Sequence, residues 1–499
     1  MNTGKTAKIK CEAFALPVAL CLSMLPLKLW ATQQDHKVTI KRDAWGVPHI
    51  FADSLADASY GLGYAQAEDR LEQIYTNYRE AVGRSSEIKG TKSVEDDFQA
   101  HLAGHESVCK RRYLELPSEV REICESFQDG LRSFEAEHPD RKPTNAIDLK
   151  PWMIAALGRH VIFHWPLGAA KRKLGQRSKS FFFSNEWAVR PERTADGAAL
   201  LLIDPHVELE GLMRFYEFRL HAGGHDISGF APSGSPFIGI GHNAFLGWAC
   251  TTGGPDTTDI YVEQTDRTKP KSYRYEGAWR EFSTETVRIE VKDSPTVVRD
   301  ILHSHHGPIV LQEGTKAYAM ACPYLGEIDF ITQNYRMMTA RNLREFDDAL
   351  AMCQMMEQNL MYADVEGNIR YLRTGRVPVR PSGFDFSKPV SGATQRSEWL
   401  GIHPMKDLVQ LLNPSTGYLQ NCNISPDVMA RGLKFDLSDF PPYIINTKLG
   451  SSNSRGRRAI ELIEANPKLT IEGAMAIALD THAEHCERWQ AVLARSEEH

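Results

Sequence analysis

Cysteine is sparse in this chain: 9 occur in 499 residues, and no two form a Cys-x-x-Cys pair. That density is too low for a disulfide scaffold. Cys109 and Cys124 stand at a spacing that suits a bridge across a helical hairpin in an oxidising compartment, and two unpaired buried thiols are the equal alternative. Positive charge is not in excess either. The formal net charge is −6, with no long acidic or basic tail, so nothing points to nucleic acid as a partner. The sequence has no internal repeat and no low-complexity segment. It also lacks a GxSxG elbow, an HExxH helix, a P-loop and a dinucleotide fingerprint. Its chemistry has to be sought elsewhere.

What is present is an ordinary globular composition, 42 % hydrophobic and 24 % charged, with ample length for a large core. At the start, Lys5, Lys8 and Lys10 precede an apolar stretch over 13–30 that Pro17, Ser23, Pro26 and Lys28 interrupt, and Ala31 follows. A charged segment, an apolar segment and a small residue read as a secretory signal peptide over 1–31. A transmembrane anchor is the alternative, but the broken run is short for a span. No later segment approaches spanning length. A periplasmic or secreted protein without a stable membrane anchor is expected.

After residue 31 the chain divides by pattern. A strand is predicted over 38–42, then helical spacing begins at the capping residue Ser54 and runs through Leu55, Ala58, Leu62, Ala65 and Leu71. Gly61, Gly63 and Gly83 suggest close helix packing or a helix end. Helix is predicted again over 92–137 and 153–165, which makes 32–167 a helical region. Over 168–183, Lys171, Arg172, Lys173, Arg177 and Lys179 gather around Gly175 with few apolar residues. This reads as an exposed linker rather than a basic binding patch. From 184 to 499 the pattern is β-rich, with an Asp196-Gly197 hairpin turn. Strands are predicted near 215–221, 237–240, 247–251, 259–263, 286–291, 296–303 and 309–311, and a hairpin across 362–371. Helices return over 341–356, 459–464 and 471–494. His303, His305 and His306 crowd together, but adjacent strand residues face opposite sides, so a surface or turn cluster is expected rather than a metal site.

Ser184 stands where the basic run gives way to the β-rich region. The motif Ser184-Asn185-x-Trp187-Ala188-Val189, followed by Arg193-Thr194-x-x-Gly197 and Asp204-Pro205-His206, resembles the penicillin acylase family of N-terminal nucleophile hydrolases. The resemblance extends through Arg42-Asp43-x-x-Gly46-Val47-Pro48-His49-Ile50 and Gly61-x-Gly63-Tyr64-Ala65-x-Ala67-Glu68-Asp69-Arg70-Leu71. It continues in Gly247-Trp248, Thr251, Gly254-Pro255-Asp256, Tyr362-Ala363-Asp364-x-x-Gly367-Asn368-Ile369 and Asn413-Pro414-x-x-Gly417-Tyr418. It implies an α+β fold, the four-layer αββα sandwich, in which an α-rich first chain wraps a β-rich second chain. The two chains would be a self-derived heterodimer. The implied reaction is hydrolysis of a small-molecule acyl amide, such as a penicillin or an N-acyl-homoserine lactone, through an acyl-enzyme on a serine exposed by autoproteolysis.

The resemblance also implies roles. Ser184 would be the nucleophile and its own α-amine the base, since a free α-amine has a pKa of about 8. His206 would orient the amino terminus and assist processing. The backbone N–H of Thr252 and the side chain of Asn423 would be oxyanion donors, with Asn421 the neighbouring candidate. Arg455 would support the asparagine and the amine. No cofactor is required for the reaction. A structural calcium is implied at Asp256, the Thr258 carbonyl and Asp259, whose hard oxygens suit that ion, but no acid lies near 165–171, where the first-chain ligand would fall. Two features depart from the family. Phe183 stands where glycine usually precedes the nucleophile, and the N-to-O acyl shift needs a strained backbone that glycine adopts cheaply. Family chains also continue beyond the point matching His499, so the last part of the second chain is expected to be missing. Two other readings stay open: an exported, uncleaved family member that only binds a ligand, and an ordinary serine hydrolase with a histidine base.

Overall fold

The computed structural model describes residues 36–177 and 183–497. The predicted signal segment over 1–31 and the linker residues 178–182 lie outside the described residues.

The first region builds its layer from helices. Ser54 accepts the N–H of Asp57 at 3.1 Å and opens the helix Leu55–Ala81, a cap worth about 1 kcal/mol. Ala58, Leu62, Ala65 and Leu71 are buried as their spacing predicts. The helix Ser118–Glu137 packs along it at backbone contact. A Cβ on Gly63 would stand 2.0 Å from the Phe127 carbonyl oxygen, and one on Gly130 would stand 2.0 Å from that of Tyr60. The stretch predicted as helix over 92–137 is three helices, Val94–Leu102, His105–Arg112 and Ser118–Glu137. Gly104, at φ +67°, breaks the first junction and Pro117 the second.

The linker prediction needs correction. The helix Trp152–Lys173 passes through Pro166 and carries six residues past 167, with Gly168, Ala169 and Ala170 buried. Its basic last turn lies at the negative end of the helix dipole.

Among the described residues, nine strands form the largest sheet. Its order is Val38–Arg42, Pro48–Ala52, Phe215–Ala222, His225–Pro232, Ile240–Asn243, Leu246–Thr252, Gln358–Asp364, Ile369–Thr374 and Gln410–Leu412. Every neighbouring pair is antiparallel except Pro48–Ala52 with Phe215–Ala222. A three-stranded sheet, Tyr418–Asn421, Phe183–Val189 and Leu200–His206, lies against Leu246–Thr252 and Gln358–Asp364. Helices Leu55–Ala81 and Phe330–Thr339 cover the large sheet. On the far side of the small sheet, Trp187, Val189 and Tyr418 pack with Ile463, Leu469 and Ile477 around the helices Ser454–Ala465 and Ile471–Ala478. The layers run helix, sheet, sheet, helix.

A further eight-stranded sheet, built on Asp259–Asp266, packs against the helices Val94–Leu102 and Trp152–Lys173. The sequence reading missed several of its strands, including Lys269–Tyr275 and Ala278–Glu281, which are mostly charged or exposed. His305 and His306 lie in the turn between Val297–Ser304 and Gly307–Glu313, so strand alternation does not separate them. His306 Nδ1 is 2.7 Å from Glu263 Oε1. The helix predicted over 341–356 is only Leu343–Leu350, and that over 471–494 is split into Ile471–Ala478 and Cys486–Glu497. Cys109 and Cys124 are free and buried, and burial pushes the Cys109 thiol up to about 12. Among the described residues no helix is long and apolar enough to cross a membrane.

Candidate active site

Ser184 lies near the start of the central strand of the small sheet, opposite Pro205, with Phe183 opposite His206. Alternation turns Ser184, Glu186 and Ala188 toward the large sheet and Trp187 and Val189 away from it. The serine is 4 % exposed. Its Oγ donates to the Phe183 carbonyl oxygen at 2.6 Å, and its N–H donates to Asn423 Oδ1 at 2.9 Å.

Asn423 sits at φ +60°, a left-handed conformation that asparagine tolerates better than most residues. Its Nδ2 donates to the Thr252 carbonyl at 2.8 Å, and its Oδ1 also accepts from Arg455 Nη2 at 2.9 Å. Arg455 lies in the first turn of Ser454–Ala465, a helix capped by Asn453, whose side chain accepts the Gly456 N–H at 2.9 Å. From there Nη1 donates to the Ser184 carbonyl at 2.8 Å and to Asn185 Oδ1 at 2.5 Å, and Nη2 to the Cys422 carbonyl at 3.2 Å. The planar fork of arginine suits such divergent acceptors. Ser184, Asn423, Arg455 and Thr252 therefore form one contiguous cluster. His206 stands beside it. Its Nε2 is 2.9 Å from Asp204 Oδ2 and 3.5 Å from Asn185 Nδ2, so it meets the cluster through Asn185 rather than through the serine hydroxyl.

Behind the cluster stands a second rank of polar residues, of which Asn359, Tyr371 and Glu186 escaped the sequence reading. Asn421 Oδ1 accepts from Thr251 Oγ1 at 3.0 Å, Asn359 Nδ2 at 3.2 Å and the Asn423 N–H at 2.9 Å. Asn421 thus fixes the backbone of Asn423 and lines neither of the two cavities beside the cluster. Tyr371 OH donates to Asn359 Oδ1 at 2.6 Å, and Asn359 Nδ2 reaches the Thr252 carbonyl at 3.2 Å. The one signal for Asn359 was a Gln358-Asn359 pair opening a strand that is buried throughout. Glu186 is fully buried below the serine, and burial pushes its carboxyl well above the usual range, with the Thr251 hydroxyl offsetting part of the rise.

Two cavities meet at Trp165 and Thr252, and Ser184 lines the first of them. The first, of about 110 Å³, is apolar and lined by Val161, Trp165, Phe215, Phe230, Phe237, Ile240 and Met356 together with Ser184 and Thr252. The second, of about 370 Å³, lies on the other side of Trp165 and Thr252 and is polar, with Arg172, Gly253, Asp256, Glu357 and Asn446 in its wall. Glu357 Oε1 accepts from Thr257 Oγ1 at 2.7 Å, and burial pushes its carboxyl up to about 7.

The implied calcium ligands come together, but around a side chain of the protein. Lys173 Nζ donates to Asp256 Oδ2 at 2.7 Å, to the Thr258 carbonyl at 2.5 Å and to Asp259 Oδ1 at 2.8 Å. Arg380 donates to both oxygens of Asp259 at 2.8 and 2.9 Å, and Trp399 Nε1 donates to Asp259 Oδ2 at 2.7 Å. Both oxygens of Asp259, one oxygen of Asp256 and the Thr258 carbonyl already face cationic or neutral donors. As arranged here, with Lys173 Nζ at their centre, these residues do not fit the metal.

The helix, sheet, sheet, helix order, with a serine near the head of an inner-sheet strand and its N–H held by an asparagine, defines an N-terminal nucleophile hydrolase fold. A family model described as penicillin amidase matches residues 37–498, and the chain belongs to the penicillin amidase family. It is 30 % identical to penicillin G acylase of Escherichia coli over 90 % of this chain and 65 % of that protein. It is 27 % identical to penicillin acylase 2 proenzyme of Pseudomonas sp. (strain SE83), over 90 % and 65 % respectively. Acyl-homoserine lactone acylase PvdQ of Pseudomonas fluorescens (strain Pf0-1) is 27 % identical over 68 % of this chain and 50 % of that protein. Among solved structures, thermostable penicillin G acylase from Alcaligenes faecalis in its orthorhombic form is similar, with TM-score 0.50 and 27 % identity over 58 % of this chain and 50 % of that one. The chain spans 65 % of the length of the two penicillin acylases.

Proposed function

We propose that this chain hydrolyses an N-acyl amide through an acyl-enzyme on Ser184, after its own Phe183–Ser184 bond is cut. The observation that carries the reading is the position of Ser184 in the wall of the apolar cavity beside Thr252, which that cavity shares with the polar one, with its Oγ already 2.6 Å from the Phe183 carbonyl oxygen. In the first reaction Oγ attacks the Phe183 carbonyl carbon, the carbon–nitrogen bond breaks, and an ester joins Phe183 to Oγ. Water hydrolyses that ester, leaving a carboxylate on Phe183 and a free α-amine on Ser184. The Phe183 ring lies 5.4 Å from the Arg455 guanidinium, a contact that steadies the scissile peptide where glycine would have none.

In the second reaction the freed amine occupies the place of the Ser184 N–H, oriented by Asn423 Oδ1. It accepts the Oγ proton as Oγ attacks the substrate carbonyl and returns it to the departing amine. Asn423 Nδ2 gives one hydrogen to Thr252 and keeps a second for the developing oxyanion, with the Thr252 N–H as its partner. Each such donor is worth about 3 kcal/mol. The apolar cavity favours an apolar or aromatic acyl group, and the polar cavity takes the amine. β-Lactams and N-acyl-homoserine lactones carry such acyl amides. In this reading the protein is exported and works as a two-chain heterodimer.

Intact mass and N-terminal sequencing of the purified protein should give two chains, the second beginning at Ser184, and a panel of N-acyl amides should be hydrolysed. Ser184→Ala should give one uncut, inactive chain. A wild-type protein that stays uncut and hydrolyses nothing would sink the proposal and leave a ligand-binding protein in its place.

A further inference from the structure

We infer that Lys173 is the chain's own cation at the position where family resemblance places calcium, so that the fold needs no divalent ion there. The lysine ammonium and the Asp259 carboxylate are fully paired without one, although Arg380 Nη1 and the Thr258 hydroxyl stay unpartnered. An ammonium has three N–H groups, and those of Lys173 meet Asp256 Oδ2, the Thr258 carbonyl and Asp259 Oδ1. Asp259 Oδ1 also accepts from Arg380 Nη2, while Oδ2 accepts from Arg380 Nε and Trp399 Nε1. Both oxygens are therefore doubly occupied, which is the capacity of a carboxylate. Arg380 Nη2 is also 3.1 Å from Asp256 Oδ2.

Charge closes as well. Two aspartates face one lysine and one arginine, all with side chains at most 15 % exposed. A divalent ion added to this set would leave two positive charges in excess in a buried place. Calcium also requires six to eight oxygens, and the ammonium holds the centre from which they would be reached. Entry of the ion requires Lys173 to leave.

The position gives the contact a task. Asp256 follows Thr252 by four residues, and Asn446 Nδ2 donates to the intervening Gly254 carbonyl at 2.9 Å. Lys173 thus helps to fix the segment that leads away from the Thr252 N–H, which makes it a positioning residue. On the reading given under Proposed function, the same contact ties the last helix of the first chain to the second chain after cleavage.

The full chain is tested as purified, cut or uncut, so that failure of cleavage and failure of this inference are distinguishable. Metal analysis after gel filtration should find calcium far below one ion per chain. The thermal midpoint should stay within about 1 °C in EDTA or in added calcium chloride. Lys173→Met, which keeps the length of the side chain and removes its charge, should lower the midpoint by roughly 3–5 °C. Lys173→Arg should retain most of it and stay insensitive to EDTA. Stoichiometric calcium in the wild-type protein, a wild-type midpoint that falls in EDTA, or a Lys173→Met midpoint equal to wild type would each overturn the inference. The first two are read on the wild-type chain and do not depend on whether a variant folds.

Discussion

Asn423 uses both ends of one amide: Oδ1 receives Ser184 and Arg455, and Nδ2 gives one hydrogen to Thr252. Asn423→Ala removes the oxyanion donor and the tether of the amine together. On the processed protein it is expected to lower kcat by about 10²–10³-fold with a smaller change in KM, measured by steady-state kinetics on one acyl amide. Glu357 offers a second test at this scale. The folded protein keeps its proton to about 7, whereas an unperturbed carboxyl releases it near 4.5. Between those values the folded state binds more protons than the unfolded state, so stability falls as pH rises through the window and the loss is complete above it. The loss is about 3 kcal/mol. Glu357→Gln cannot ionise and keeps an acceptor for Thr257, so its thermal midpoint relative to wild type should rise between about pH 5 and about pH 8. Parallel profiles would show that Glu357 does not titrate in this range. The residues legible in sequence were those inside local motifs, Ser184, Asn423 and Arg455. Asn359, Tyr371 and Lys173 were not, because their roles depend on partners far along the chain, Thr252, Asn359 and Asp259.

Elements were legible where one pattern dominated. The helix Leu55–Ala81 showed its cap and its buried spacing, and Gly63 was rightly read as a packing position. What the sequence could not supply was the partner, Gly130 on Ser118–Glu137. The two glycines let these helices meet backbone to backbone. Gly130→Ala would set a Cβ 2.0 Å from the Tyr60 carbonyl oxygen, and rigid helices have to move apart to admit it. A loss of about 1–3 kcal/mol is expected, measured by denaturant unfolding, and an unchanged midpoint would show that the helices separate freely. The start of the predicted linker was misplaced for the opposite reason, although Lys171, Arg172 and Arg177 are exposed as a linker would have them. A run of lysine and arginine resembles solvent-exposed chain, yet here it ends a helix, and Lys173 is buried because two aspartates from another region meet it.

At the scale of the whole molecule, neither region holds a complete substrate site. Ser184 and Thr252 come from the β-rich region, while Leu157, Val161 and Trp165 come from the helix Trp152–Lys173. The order of motifs along the chain indicated which pieces belong together. It gave no measure of the space between them, because cavity shape depends on residues such as Phe237 and Met356 that no motif contains. Trp165 is informative because it lines both the apolar and the polar cavity. On the proposed reading its indole would be the wall that ends the acyl compartment. Trp165→Ala removes that wall and opens one compartment into the other, so acyl groups too long for the native cavity gain room. The expected result is a rise in kcat/KM for long acyl chains relative to short ones, by about 10-fold on the scale of one or two methylene contacts, with cleavage before Ser184 unchanged. An equal loss for every chain length would show instead that the indole holds the scissile bond in place and does not set the length of the acyl compartment.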